Sequence, residues 1–390
     1  MTCNLPSNIS FVSPGLPAFA LCGPFELPSY TILPDDLDMQ HHFSAPASHS
    51  FTINDQASWQ AARKHPELYP RTQFVDFTLN EQTLEGRDPY AACVPVADFL
   101  RACTKLQTLR LVHEHHGNRG DDEYSIINTV LKSAAKDGAK WTTLEKLIIE
   151  PTYGYTPSVL PDALGPFLSA APSLKEASIS PFLPPEARDD HLRALHRAIA
   201  NSKIGSWTGP VPLHNVVAES NPHVRPHTMT FPPQSEHEEV FEFLQKAATA
   251  VDVQTLRIRH TLSEHNDPTG DARALKRLVR LQTFGMNVNH DVAATSKLQD
   301  IVARMLAALP AGVRTLEVET YLWGMEELEP LSAALGVLVG KADMRSLREV
   351  VLQVGPKLGE NDRNRARAEM LRGLAGTGRK GVTVSVVDMP

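Results

Sequence analysis

The segment Val313-Arg-Thr-Leu316-Glu-Val318 places three apolar residues in the spacing apolar-x-x-apolar-x-apolar. In a β-strand, the last two of these residues point to the same face of a sheet. The spacing recurs about every 30 residues. The other clear copies are LQTLRL (106–111), LEKLII (144–149), LKEASI (174–179), VQTLRI (253–258), LQTFGM (281–286) and LREVVL (347–352), with weaker ones at Val75/Phe77, Ile204/Trp207, Met229/Phe231 and around Val384. A short strand is therefore the recurring element of the chain.

Helical patterns separate the strands. Ile301, Met305 and Leu309 show the spacing of one buried helix face, and similar sets lie between most other strands. A strand–helix unit of this length cannot bury its apolar face alone, whereas stacked units can. The helices also supply the crossovers that parallel strands need. We predict an α/β solenoid of about ten or eleven repeats, with a curved parallel sheet and helices on the convex side.

The segments LQTLRLV, LEKLIIE and VRTLEVE resemble leucine-rich repeats, and the resemblance covers roughly residues 72–390. The repeat length and the helix in each repeat resemble the ribonuclease-inhibitor-like and F-box-associated subclasses. The Asn or Cys that the family places after the third apolar residue is mostly missing. Long irregular repeats of this kind resemble those of fungal F-box/leucine-rich-repeat proteins. The resemblance implies a leucine-rich-repeat-like solenoid that acts as a non-catalytic protein–protein interaction scaffold.

Proline indicates how the chain is divided, because it removes a backbone donor and breaks helices. Nine of the 30 prolines lie in residues 1–70, which we interpret as an N-terminal arm, a cap or a degenerate F-box. The leucine-rich-repeat-like domain then covers 71–390, with an irregular insertion at 205–234. Leu33-Pro-Asp-Asp-Leu37 resembles the opening of an F-box, which implies substrate recognition with a Skp1-like adaptor. The following stretch lacks the apolar helices of that family, so loss of the F-box is the alternative.

Composition excludes several classes of protein. The net charge of −7 leaves no basic footprint for nucleic acid and no attraction to an anionic membrane surface. No apolar run reaches the length of a membrane span. The four cysteines form no C-x-x-C pair, which favours free thiols in a reducing compartment, cytoplasmic or nuclear. Neither G-x-S-x-G nor H-E-x-x-H occurs, and we expect no cofactor.

Strand residues that alternate with the buried ones are predicted to face the concave side, among them Arg110. Arg257 with Arg259 makes a cationic spot, and Glu317 with Glu319 makes an anionic spot two strands later, about 10 Å away. Such a bipolar surface suits a protein partner with matched charges. The alternative is an ordinary solvated strand face. The substitution Arg257→Glu is accordingly expected to weaken partner binding without unfolding the protein.

Tyr321 and Trp323 follow the two glutamates. Exposed aromatic residues are frequent anchors at interfaces. We therefore assign both to the partner-binding surface, with packing against the next helix as the alternative.

Histidines are frequent in the segments that follow the strands. The weak metal-ligand candidates are His113, His115, His260 and His290, because imidazoles bind zinc or copper. Only His260 and His290 lie on neighbouring strands. The alternatives are a solvated polar rim and a small-molecule- or metal-binding protein, or an enzyme, that uses this rim.

Overall fold

The computed structural model of the protein describes residues 49–80, 83–84, 89–113, 126–136, 138–151, 159–180, 182, 189–220, 226–247, 252–263, 268–322, 324–355 and 357–389. The chain forms two compact units, which meet in the sequence between Lys203 and Ile204. Strand order follows chain order from β1 to β12. Every strand pair whose register the structure gives is parallel.

The first unit alternates five strands with five helices among its described residues. The strands are β1 (His49–Ile53), β2 (Thr72–Leu79), β3 (Thr108–His113), β4 (Lys146–Pro151) and β5 (Glu176–Ile179). The helices are α1 (Gln56–Arg63), α2 (Pro89–Ala102), α3 (Ile126–Ala134), α4 (Pro161–Ala170) and α5 (Asp189–Ala200), with a 3₁₀ helix at Pro66–Arg71.

The second unit continues the same alternation. Its strands are β6 (Ser206–Thr208), β7 (Thr228–Phe231), β8 (Thr255–Leu262), β9 (Thr283–Val288), β10 (Thr315–Tyr321), β11 (Glu349–Gly355) and β12 (Thr383–Asp388). Its helices are α6 (Val211–Ser220), α7 (His237–Lys246), α8 (Pro268–Lys276), α9 (Ser296–Ala308), α10 (Leu328–Lys341) and α11 (Glu360–Gly376), with 3₁₀ helices at His290–Ala293 and Met325–Glu327.

The repeated spacing places apolar side chains on the helix side of the sheet. Leu316 and Val318 of β10 are fully buried in the same hydrophobic cluster as Leu331 and Leu335 of α10. Between the two strand residues, Glu317 points to the opposite face, which we call the open face of the sheet, because side chains alternate along a strand. Consecutive helices from α2 to α5 contact each other, and so do those from α6 to α11. The prediction of a parallel sheet with one helix per repeat is confirmed.

Strand β1 lies inside the segment interpreted as an N-terminal arm. Within residues 1–70, positions 1–48 lie outside the described residues. Strand β1 pairs with β2 in parallel, and Trp59 of α1 is buried against Phe77 and Phe99. Residues 49–70 therefore form a strand–helix unit of the sheet rather than an arm. With it, the described residues hold twelve strands, more than the ten or eleven repeats predicted.

The prediction of an irregular insertion at 205–234 is wrong for most of that range. β6, α6 and β7 form an ordinary strand–helix–strand unit there. Pro210 precedes α6, and Pro212 is its second residue, where the backbone N–H has no partner within the helix in any case. A proline in the first turn therefore leaves the helix intact.

Candidate functional site

An ion pair crosses the open face of β8, β9 and β10. Arg257, Gly285 and Glu317 lie opposite one another on these three strands. The guanidinium of Arg257 donates two hydrogen bonds to Glu317, from Nε to Oε2 at 2.5 Å and from Nη2 to Oε1 at 2.8 Å. Only 16% of the arginine side chain and 11% of the glutamate side chain are exposed. This bidentate geometry is the strong form of an arginine–carboxylate contact.

Gly285 makes room for this pair. A Cβ atom at that position would lie 2.9 Å from Cγ of Arg257 and 3.3 Å from Oε2 of Glu317. The middle strand therefore carries no side chain at the point where the arginine passes over it. A glycine inside a strand often marks such a close approach, and this was the sequence signal for the pair.

A second, looser ion pair lies two residues further along β8 and β10. Nε of Arg259 is 3.2 Å from Oε1 of Glu319, but this buried Nε makes no hydrogen bond of good geometry. Burial raises the pKa of Glu319, and the charge of Arg259 opposes that shift. The prediction of two separate charged spots is therefore wrong. The backbones lie two strands apart, but the side chains are long enough to meet and neutralise each other.

Arg110 occupies a similar position in the first unit. Its Nη1 donates to Oδ2 of Asp76 at 2.8 Å, and its Nη2 donates to Oε2 of Glu150 at 2.9 Å. Asp76 lies on β2 and Glu150 on β4, so the guanidinium links the strands on both sides of β3. The predicted partner-binding arginine is thus already engaged within its own sheet.

Tyr321 differs from the charged residues in its exposure. It ends β10 on the open face and remains 65% exposed, whereas Leu316–Thr320 are all buried. Its partner in the register with β11 is Gly355, and a Cβ atom there would lie 2.9 Å from Cδ2 of the tyrosine ring. The ring thus lies beside a strand position that has no side chain. Trp323, its predicted companion, lies outside the described residues.

The two candidate histidines whose side chains are described, His260 and His290, contact different groups. The His260 ring lies beside the His237 ring, with centroids 5.8 Å apart. Nε2 of His290 is 3.3 Å from Oδ1 of Asp291 and 3.5 Å from Oε1 of Glu327. The side chain of His113 and all of His115 lie outside the described residues. Within the described part of the chain, no group of three or more His, Cys, Asp or Glu side chains is arranged to hold a metal.

Two buried histidines of the second unit were not predicted. Nε2 of His237 is 2.8 Å from Oδ2 of Asp271, and both side chains are buried. His214 is fully buried, with Nε2 3.3 Å from the carbonyl oxygen of Thr230. Burial lowers the pKa of His214 to about 4. Each histidine lies in a helix that packs on the sheet, and no short motif in the sequence indicated its burial.

No protein-family model matches the sequence, and no curated protein matches it. Among solved structures, the leucine-rich repeat-containing protein LegL7 from Legionella pneumophila is similar at 14% identity, over 80% of this chain and 90% of that chain, with a TM-score of 0.47. The fold assignment rests on strand order and the recurring strand–helix unit. These define an α/β leucine-rich-repeat-like solenoid.

None of the described helices has both the length and the apolar character needed to cross a membrane.

Proposed function

We propose that this protein is a non-catalytic protein–protein interaction scaffold, with its partner docking on the open face of β8, β9 and β10. The observation that carries the proposal is the exposure of Tyr321 at the end of an otherwise buried strand. A tyrosine offers a large contact area with only two rotatable side-chain bonds, so it loses little entropy on binding. Such residues are frequent energetic anchors of interfaces. The supporting features are its exposure, its position beside Gly355 and the ion-paired arginines and glutamates next to it.

The charged residues have a defined role in this proposal. Arg257, Arg259, Glu317 and Glu319 form the polar strip, in which each arginine already faces a glutamate. The strip therefore offers hydrogen-bonding edges with little net charge. It favours a partner surface that is polar but close to neutral at its centre, because an unmatched charge would be buried against it. Arg110 gives the first unit a comparable polar centre.

The proposal has a finer form, in which the scaffold recognises a substrate in the manner of F-box proteins. Its support is the resemblance of Leu33–Leu37 to an F-box opening, and these residues lie outside the described part of the chain. This form implies a Skp1-like adaptor and a cytoplasmic or nuclear location. Co-purification of a Skp1-like adaptor with the full chain tests it, together with loss of that adaptor when Leu33 and Leu37 are changed to Ala.

Affinity capture followed by direct binding measurement tests the scaffold proposal. The full chain is immobilised, captured proteins are identified, and the affinity of the enriched protein is measured by calorimetry. Tyr321→Ala is expected to weaken that affinity by at least tenfold, which corresponds to about 1.4 kcal/mol. Val279→Ala is the control, because Val279 is equally exposed but lies outside β8, β9 and β10. Equal affinity of the wild type and Tyr321→Ala would contradict the assignment of this face.

A further inference from the structure

Strand β12 presents a free edge among the residues that the structure describes. It pairs with β11 on one side, where Thr383 N–H donates to Arg348 and Met389 N–H donates to Val354. Backbone groups of successive residues point to opposite edges of a strand. Val384 and Val386 therefore direct their N–H and C=O groups toward the outer edge, where no described strand accepts or donates.

The sequence of this edge lacks the usual protection against pairing. Natural edge strands carry lysines, prolines or bulges that prevent another strand from adding to them. β12 runs Thr383-Val-Ser-Val-Val387 without a charge or a proline before Asp388, and its pairing with β11 has no bulge. Val387 is 39% exposed. Thr383–Val387 thus carry none of these protective features, and the first charge of the strand is Asp388 at its end.

Helix α11 forms a groove with this edge. The groove has a volume of about 290 Å³ and is lined by Thr383–Val386 on one side and by polar residues of α11 on the other. Those polar residues are Glu360, Arg363, Asn364 and Arg367. The helix packs closely against α10, because a Cβ atom at Gly373 would lie 2.9 Å from the carbonyl oxygen of Ala333. This packing determines where the helical side of the groove lies.

The charged residues of the groove are arranged so that they can pair between two copies of the chain. Nη2 of Arg363 is 2.6 Å from Oδ2 of Asp388, so this arginine is already neutralised. Glu360 and Arg367 both line the groove, two helical turns or about 10 Å apart. Neither forms an ion pair with any other residue in the described part of the chain. A two-fold axis between them would place Glu360 of one copy opposite Arg367 of the other.

We propose that two copies of this chain associate through the outer edges of β12, with Glu360 of each copy paired to Arg367 of the other. The arrangement is isologous, as most homodimer interfaces are. The two β12 strands run antiparallel about the axis, and so do the two α11 helices. The dimer satisfies the outward backbone groups of Val384 and Val386. This proposal is independent of the open-face function proposed above.

Sedimentation equilibrium of the full chain tests the dimer. The wild type is expected to change from monomer to dimer as protein concentration rises. Glu360→Arg and Arg367→Glu alone each place like charges together, and each is expected to weaken association at least tenfold. The double variant restores opposite charges and is expected to recover most of the lost affinity. Arg372→Glu is the control, because Arg372 pairs with Glu369 and does not line the groove.

A further variant tests the strand pairing itself. Val386→Pro removes an outward N–H but no hydrogen bond to β11, so the strand remains in the sheet and association is lost. Circular dichroism verifies that each variant is folded. A wild type that stays monomeric at every concentration would overturn the proposal. So would association that neither single charge reversal nor Val386→Pro weakens.

Discussion

Replacing Arg257 by Glu is expected to destabilise the second unit strongly, before any partner is considered. The substitution removes both hydrogen bonds to Glu317 and leaves that carboxylate buried without its cation. Breaking a buried ion pair by removal of one partner costs about 3–5 kcal/mol. The new carboxylate also faces Glu317 across Gly285. Since proteins are stable by only about 5–15 kcal/mol, this is a large fraction of the total.

Urea unfolding followed by circular dichroism measures the effect. Arg257→Glu is expected to lower the free energy of unfolding by about 3–5 kcal/mol. The swap variant Arg257→Glu/Glu317→Arg restores opposite charges above Gly285 and is expected to recover more than half of that loss. Arg345→Glu serves as the control, because it reverses an arginine whose side chain is 82% exposed.

Two results would refute this reasoning. If Arg257→Glu unfolds at the wild-type urea concentration, the pair contributes nothing to stability, and the sequence-based expectation of a pure binding residue stands. If the swap variant is as unstable as the two single changes added together, the loss comes from disturbed packing rather than from the lost pairing.

Three further outcomes are expected. Gly285→Val should lower the free energy of unfolding by about 1–3 kcal/mol through overpacking. The loss should be smaller in an Arg257→Ala background, and urea unfolding of both variants measures it. Equal losses in the two backgrounds would contradict a steric origin. The pKa of His214 is lowered to about 4 in the folded protein. As pH falls below about 6.5, this imidazole therefore gains a proton in the unfolded state before it does so in the folded state. About 3 kcal/mol of folding stability should be lost between pH 6.5 and 4. His214→Phe should reduce that pH dependence, and an unchanged slope would contradict the assignment. Cys93 and Cys103 are buried, and burial raises the pKa of the Cys103 thiol to about 12. In a variant with the other two cysteines changed to Ser, Ellman's reagent should therefore react with these thiols only after denaturation. Reaction in native buffer would argue against this burial.

The fold was largely predictable because one spacing determines both the strand and its buried face. Leu109, Leu316 and Val350, taken as markers of three separate copies, are all fully buried. The spacing does not predict β1, because Phe51 and Ile53 lack the preceding apolar residue of the pattern. The proline frequency of 205–234 does not predict the helix at Val211–Ser220, because Pro212 lies in the first turn, where a helix tolerates proline.

The candidate site was predictable as a set of residues but not as an arrangement. The sequence places Arg257 and Glu317 two strands apart, and that spacing describes the distance between backbones. Whether the side chains meet depends on what the strand between them carries, and Gly285 carries nothing. The exposure of Tyr321 likewise depends on its register with Gly355, which requires the pairing of β10 with β11.

Ion pairs that cross the open face in both units indicate what these residues do for the fold. Arg110 bridges strands on either side of β3, and Arg257 bridges from β8 across β9 to β10. In each case one guanidinium holds strands that are not direct neighbours in a common register. Charges that stabilise register are already neutralised, so they contribute shape and hydrogen-bonding capacity to an interface rather than attraction. A side chain that takes no part in these ion pairs is the better candidate for partner contact. On the open face of the second unit, Tyr321 meets that description.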